Sequence, residues 1–272
     1  MMLPGTSVAL HRSRRSLHRP GIAAAAAFLV LATPVFAQDA KDQMAAFIDA
    51  NADQFGETAQ EIWELAEVGY METESSETLQ GLLRAEGFEI AAGVAGIPTA
   101  FVASWGGGGP VIGIMGEYDA LPGINQSRSA ERDPIPGKIA GHACGHHLFG
   151  TGSVAAAMAV KDWLEETGTP GTVRVYGTPA EEGGAGKVYM VRAGLMNDVD
   201  AMLHWHAGSR NDASASSSLA NKSAKIRFYG QSAHAAAAPW RGRSSLDGVE
   251  AMHDMINMMR EHVPPASRIH YV

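Results

Sequence analysis

The chain has 272 residues, 46% of them hydrophobic, enough to bury one sizeable core or two. Its formal charge of −8, with no basic run in the body of the chain, argues against nucleic acid and anionic membrane as partners. With a single cysteine, Cys144, the chain cannot form an internal disulfide.

Residues 1–37 read as a cleavable export signal. Arg12, Arg14, Arg15 and Arg19 make a basic head without an acid, and Ile22 to Leu31 is an apolar run too short to span a bilayer. Val35-Phe36-Ala37 offers small residues where a signal peptidase reads. Ser13-Arg14-Arg15-Ser16-Leu17 is similar to a twin-arginine signal; an ordinary secretory signal with a basic head is the alternative. Export predicts a mature protein starting at Gln38, in a bacterial periplasm or outside the cell, with no membrane association after cleavage. Removing the signal takes away four arginines and no acid, so the net charge falls to about −12. An exported protein that keeps one free thiol risks its oxidation, which favours a ligand role for Cys144.

From Lys41 the pattern is helical, with Met44, Phe47 and Ile48, then Ile62, Leu65 and Val68. A further helix is predicted from Ser75 to Glu86, closed by Gly87. Phe88 to Ala92 and Thr99 to Trp105 read as strands. Val111 to Met115 reads as a central strand covered on both faces. Helices are predicted over Leu148 to Glu166 and Lys187 to Leu195, and strands over Thr172 to Gly177 and Ala201 to His206. This alternation predicts an α/β fold, a mostly parallel sheet flanked by helices. After Asn211 the character changes. Ser214, Ser216, Ser217 and Ser218 mark a loop, Ala224 to Tyr229 alternates like a one-faced antiparallel strand, and Arg243 to Val263 is an amphipathic helix. That is the start of an α+β unit, whose Met-rich stripe is ordinary core or an interaction surface. Arg268 to Val272 reads as a strand cut off mid-course, so the chain is expected to be incomplete.

Four stretches carry ligand types at predicted strand ends: Glu117/Asp119, Cys144/His146, Glu181/Glu182 and His204/His206. A thiolate and an imidazole two positions apart suit zinc or a similar ion; a small buried cysteine beside solvent-facing histidines is the other reading. Adjacent acids on a turn point apart, so one can bind a metal while the other exchanges protons with water and a leaving amine. Two solvated acids capping the next helix are the alternative there. His234 alone reads as a capping or packed residue, and His142, His253, His262 and His270 as structural or exposed.

Glu117-Tyr118-Asp119-Ala120-Leu121-Pro122, Gly141-His142-Ala143-Cys144-Gly145-His146, Pro179-Ala180-Glu181-Glu182-Gly183-Gly184 and Ala233-His234-Ala235-Ala236 together resemble the aminoacylase/carboxypeptidase metallopeptidases, in particular their amidohydrolase branch. The resemblance covers roughly Asp42 to Val272. It implies a metal-dependent catalytic domain over 38–220, into which an α+β lid/dimerisation domain is inserted, started at 221–272 and truncated. It implies Cys144, His146, Glu182 and His206 as ligands of a divalent metal, Zn or Mn, with two ions in the family. Glu181 would be general base and acid, Asp119 and Glu117 would support the metal side, and His234 would reach the substrate carbonyl from the lid. The implied substrate is an N-acyl or N-aroyl amino acid of the p-aminobenzoyl-glutamate kind, and the implied assembly a homodimer or a heterodimer of related subunits. A dipeptidase of the same architecture, a Cys144 hydrolase and an exported metal- or solute-binding protein without turnover are the alternatives. His147 stands where relatives carry Asp or Asn, which bears on how the ligands are oriented. The chain stops before the family's return to the catalytic domain, which brings the last histidine ligand, so weak metal retention and poor activity are expected if these 272 residues are all that is made.

Overall fold

A computed structural model describes residues 33–272 apart from Ser214 and Ser216. The expected export signal up to residue 32, and those two serines of the expected loop, lie outside the described residues. The chain divides into two compact units, Met1–Gly208 and Ser209–Val272. The break falls twelve residues before the expected boundary at 220/221.

The described part of the first unit opens with three helices: α1 (Thr33–Ala50), α2 (Ala52–Leu65) and α3 (Thr73–Ala85). In α2 the buried residues Phe55, Thr58, Ala59 and Ile62 follow i, i+3, i+4, i+7 spacing, which makes one apolar stripe. The helix stops at Ala66, whose left-handed backbone (φ 45°) returns its N–H to Ile62 O. The strands are β1 (Glu89–Ala92), β2 (Phe101–Gly107), β3 (Val111–Gly116), β6 (Gly171–Gly177) and β7 (Ala201–Leu203), with a small pair β4 (Leu121–Pro122) and β5 (Ala140–Gly141). Two more helices complete the unit, α4 (His146–Thr167) and α5 (Gly186–Arg192).

The main sheet has the order β1-β2-β6-β3-β7. Only β3–β6 and β3–β7 pair in parallel, while β1–β2 and β2–β6 are antiparallel. The sheet is thus mixed, not mostly parallel: an eight-residue connection with a 3₁₀ turn at Val94–Gly96 folds β2 back on β1, and β2 docks antiparallel on β6. Residues from α2, α3 and α4 form the larger core against it, with Ile62, Leu79, Leu83, Phe101, Val154 and Val173 buried together. The other face is covered around Tyr176 and Met190.

Because β3, β6 and β7 run in parallel, their carboxyl ends share one edge of the sheet. Glu117–Asp119, Thr178–Glu182 and His204–His206 leave from that edge, where open α/β sheets hold ligands. The β4–β5 pair, with Leu121 opposite Gly141, ties the loop after Asp119 to the one leading into Cys144. β7 ends at Leu203, so His204 and His206 leave on an irregular segment and not on the strand expected to run to His206.

In the second unit, α6 (Ser245–Met259) is capped by Ser244, whose Oγ accepts the Asp247 N–H, and continues as a 3₁₀ turn to His262. Ala224 to Tyr229 and Arg268 to Val272 are not strands here. Alternation makes a segment amphipathic, but a strand also needs a partner; among the described residues Gln231–Arg243 is the one bridge in this unit. No residue of α6 is buried, and its Met252, Met255 and Ile256 line an apolar groove with Phe228. Among the described residues no helix is long and apolar enough to cross a membrane.

Candidate metal centre

His146 is the hub of the shared edge. It is the first residue of α4 and fully buried, although the sequence predicts a helix only from Leu148. Gly145 precedes it with φ 92°, a left-handed turn that a residue with a Cβ adopts only under strain. Cys144 and His146 are therefore brought together by this turn.

Asp119, 1% exposed, serves two partners at once. Its Oδ1 lies 2.9 Å from His146 Nδ1, and its Oδ2 accepts the Glu182 N–H at 2.9 Å. A carboxylate on one ring nitrogen fixes the tautomer and turns the other nitrogen outward, as in many histidine metal ligands. That other nitrogen, Nε2, faces Glu117 Oε2 at 3.2 Å, Glu182 Oε1 at 3.8 Å and Glu181 Oε2 at 3.9 Å. Burial disfavours a charge on His146, yet the Asp119 hydrogen bond and the surrounding carboxylates outweigh it and raise its pKa.

Glu117 Oε1 is held by Lys187 Nζ and, at 3.1 Å, by His204 Nε2. Burial opposes its ionisation, but the hydrogen bond from His204 and the Lys187 charge prevail and pull its pKa down to about 2. Glu182 moves the other way, raised mainly by burial. Across the cluster, Cys144 Sγ sits 3.3 Å from His206 Nε2. Burial, then the neighbouring Glu182, pushes the Cys144 thiol up to about 11. The Phe149 ring packs against both Trp205 and His206, at 4.7 and 4.8 Å between centroids, and holds this irregular segment over α4.

The donor set fits a cation. Glu117 Oε2, His146 Nε2 and Glu182 Oε1 are buried without a hydrogen-bond partner, a costly arrangement unless something positive lies among them. Two groups bring three ligand atoms within 4.8 Å of one another, Cys144–His146–His206 and Glu117–His146–Glu181, sharing His146. Sulfur, nitrogen and oxygen donors in such groups suit a borderline divalent ion.

Of the other residues singled out in the sequence, His142 is buried with Nε2 3.0 Å from Ile62 O, and its ring lies 5.1 Å from that of His147. His234 belongs to the second unit. There its Nδ1 accepts the N–H groups of Ala236 and Ala237 at 3.2 and 3.1 Å, so within that unit it caps a turn. Sequence reasoning missed Lys187, placed only as a helix start, and Glu72, a fully buried acid among exposed-looking neighbours. Lys187 carried one signal, its position just after a twin-acid turn; Glu72 carried none.

The sequence model of peptidase family M20/M25/M40 matches residues 113–266. The chain is 45% identical over 226 residues to one subunit of the p-aminobenzoyl-glutamate hydrolase of Escherichia coli (strain K12), covering 82% of this chain and 47% of that protein. It is 31% identical over 242 residues to the Xaa-Arg dipeptidase of Mus musculus, covering 85% and 52%. The chain thus spans about half the length of the curated relatives it matches. Among solved structures, an aminohydrolase of methicillin-resistant Staphylococcus aureus superposes with TM-score 0.52 at 22% identity, covering 61% of this chain and 42% of that one, a likeness of fold alone. With the family match running over more than half of the chain, from the β3 strand that launches Glu117 and Asp119 through α6, this protein belongs to peptidase family M20/M25/M40.

Proposed function

We propose that the chain is the catalytic part of a metal-dependent amidohydrolase that cleaves the amide of an N-acyl or N-aroyl amino acid, p-aminobenzoyl-glutamate being the model substrate. The observation that carries this reading is the convergence of three buried, unpartnered atoms, Glu117 Oε2, His146 Nε2 and Glu182 Oε1, beside a glutamate that remains accessible. Glu181 is 45% exposed and Glu182 20%, which divides their work. Cys144, His146, Glu182 and His206 would hold the metal, Zn or Mn, and Glu117 beside them leaves room for a second ion. A bound divalent cation supplies Lewis-acid polarisation of the scissile carbonyl.

The chain's own residues handle the proton. Glu181 takes it from the attacking water as the C–O bond forms, and returns it to the amine nitrogen as the C–N bond breaks. Asp119 keeps His146 and the Glu182 backbone in register during both steps. Glu117, held ionised by His204 and Lys187, keeps negative charge against the metal side.

The Escherichia coli hydrolase has a second named subunit that is also similar to this chain, 30% identical over 171 residues. Likeness to both supports pairing with a related chain or with a second copy. The arginine-headed apolar N-terminus supports export to a periplasm or beyond. Likeness to an Xaa-Arg dipeptidase favours a second reading, cleavage of a dipeptide with a basic residue.

Elemental analysis of the purified chain, together with amine release from a panel of acyl-amino acids and dipeptides, tests the proposal. Bound divalent metal with release from acyl- or aroyl-glutamates is expected. Release from Xaa-Arg dipeptides alone would favour the second reading, and metal binding without any release would leave a binding protein.

A further inference from the structure

We infer that Glu72 is a positioning residue for the twin-glutamate turn, its buried carboxylate holding the Ala180 N–H and with it the backbone from which Glu181 and Glu182 enter the site. The inference deepens the hydrolase reading and rests on it for the reaction concerned.

Glu72 occupies the N-cap position of α3, where a carboxylate ordinarily accepts the helix's own first N–H groups. Glu72 does not spend its side chain there. Glu67 does that work instead: its Oε2 accepts from Ser75 N and Ser75 Oγ, both at 2.8 Å, and its Oε1 from Glu74 N at 3.1 Å. The Glu72 carboxylate is left to reach across the fold. Its Oε1 accepts the Ala180 N–H at 2.8 Å and its Oε2 the Thr99 hydroxyl at 2.9 Å, with the residue fully buried. Burying a carboxylate is costly, so two directed bonds at the floor of a reactive turn ask for a reason beyond filling space.

Ala180 supplies that reason. Its φ of 57° is the left-handed region, unfavourable for a residue with a Cβ, and such conformations persist only where the surroundings over-determine them. The segment carrying Glu72 closes around it. A Cβ at Gly69 would lie 3.0 Å from both Ala180 Cα and Cβ, so any larger residue would press on Ala180 and shift it by a few tenths of an ångström. One residue on, Tyr70 OH donates to Gly184 O at 2.5 Å. Glu72 and Tyr70 thus hold the two ends of the turn, and Asp119 holds its middle through Glu182 N. With both ends and the middle tethered, the two carboxylates leave in fixed and different directions.

The test compares Glu72→Ala, Glu72→Gln and, as a control, Ser76→Ala. Ser76 donates to Thr99 O at 2.8 Å in the same buried knot but makes no bond to the turn. Zinc affinity by calorimetry, kcat and KM for acyl-amino acid hydrolysis, and Tm are measured for each. E72A is expected to lose about 10–100-fold in zinc affinity, kcat or both, with KM little changed. E72Q is expected within about threefold of wild type, because an amide oxygen still accepts from Ala180 and the amide N–H can meet the Thr99 hydroxyl. S76A should lower Tm and leave zinc affinity and kcat alone. Should E72A not fold, Glu72→Asp, one methylene shorter, is expected to give the same loss. Wild-type zinc affinity and kcat in a folded E72A, equal losses in S76A, or no rescue by E72Q would each overturn the inference. If the unaltered chain binds zinc but hydrolyses nothing, the hydrolase reading falls and the zinc series still decides the role of Glu72; no zinc binding at all would overturn both.

Discussion

Glu181 and Glu182 are neighbours in sequence that meet opposite surroundings. The Glu182 carboxylate turns inward with its N–H on Asp119, while that of Glu181 stays open to solvent on the rim. Glu181→Ala should therefore keep its metal and lose at least about a hundredfold in kcat, the lower end of what a general base contributes. Bound metal and kcat measured on one preparation check this; a rate near wild type would assign the proton transfer elsewhere. Cys144 argues in the same direction. With its thiol pushed up to about 11 by burial and by Glu182, little thiolate exists at neutral pH, which disfavours a cysteine nucleophile. In the presence of a chelator at pH 8, iodoacetamide should modify Cys144 about tenfold or more slower than a free cysteine thiol. Alkylation as fast as the free thiol would revive the nucleophile. The cysteine and the twin acids were legible in the sequence because their residue types carry chemistry wherever they fold. Lys187 and Glu72 were not, since each acquires its role from a partner 70 or 108 residues away.

At the scale of elements, the start of α4 is where sequence and structure part most usefully. The expected helix from Leu148 starts two residues late; the left-handed turn at Gly145 launches it with His146 already in place. On either side of the turn sit a buried histidine, His142, and a half-buried one, His147. His142 and His147 are both lowered to about 4, by burial first, then by His147 acting on His142 and His146 acting on His147. In the unfolded chain such groups titrate near 6.5, so as pH falls below 6.5 the unfolded state takes up protons that the folded state refuses. Their contribution to stability is full above pH 6.5 and lost progressively toward pH 4. His147→Asn removes one share of that loss. In chelated protein, its Tm should fall less steeply between pH 6.5 and 4 than that of the unaltered chain; parallel curves would show that His147 is charged in the fold. The strands teach a related lesson. Val111 to Met115 was readable because a continuous apolar run implies cover on both faces, whereas Ala224 to Tyr229 had the alternation of a strand and pairs with nothing among the described residues.

For the molecule as a whole, a cluster of carboxylates around one histidine, with Lys187 as the lysine among them, is a store of repulsion that a cation relieves. Divalent metal should therefore raise Tm. A ligand at a thousand times its Kd adds about 4 kcal/mol to stability when it binds only the folded state. Calorimetry with zinc and with a chelator measures the difference, and an unchanged Tm would mean that the orphaned atoms at the sheet edge hold no ion. By itself the sequence determined which residue types are present, where most helices and the central strands lie, and the family to which their motifs point. These are properties of short contiguous stretches, in which periodicity and side-chain chemistry are written locally. Only the tertiary structure decided that the sheet is mixed, that β3, β6 and β7 end at one edge, that Asp119 serves two partners, and that Glu72 accepts the N–H of Ala180, 108 residues away in sequence. Strand direction and the meeting of distant groups depend on which surfaces pack together, and no local period encodes that choice.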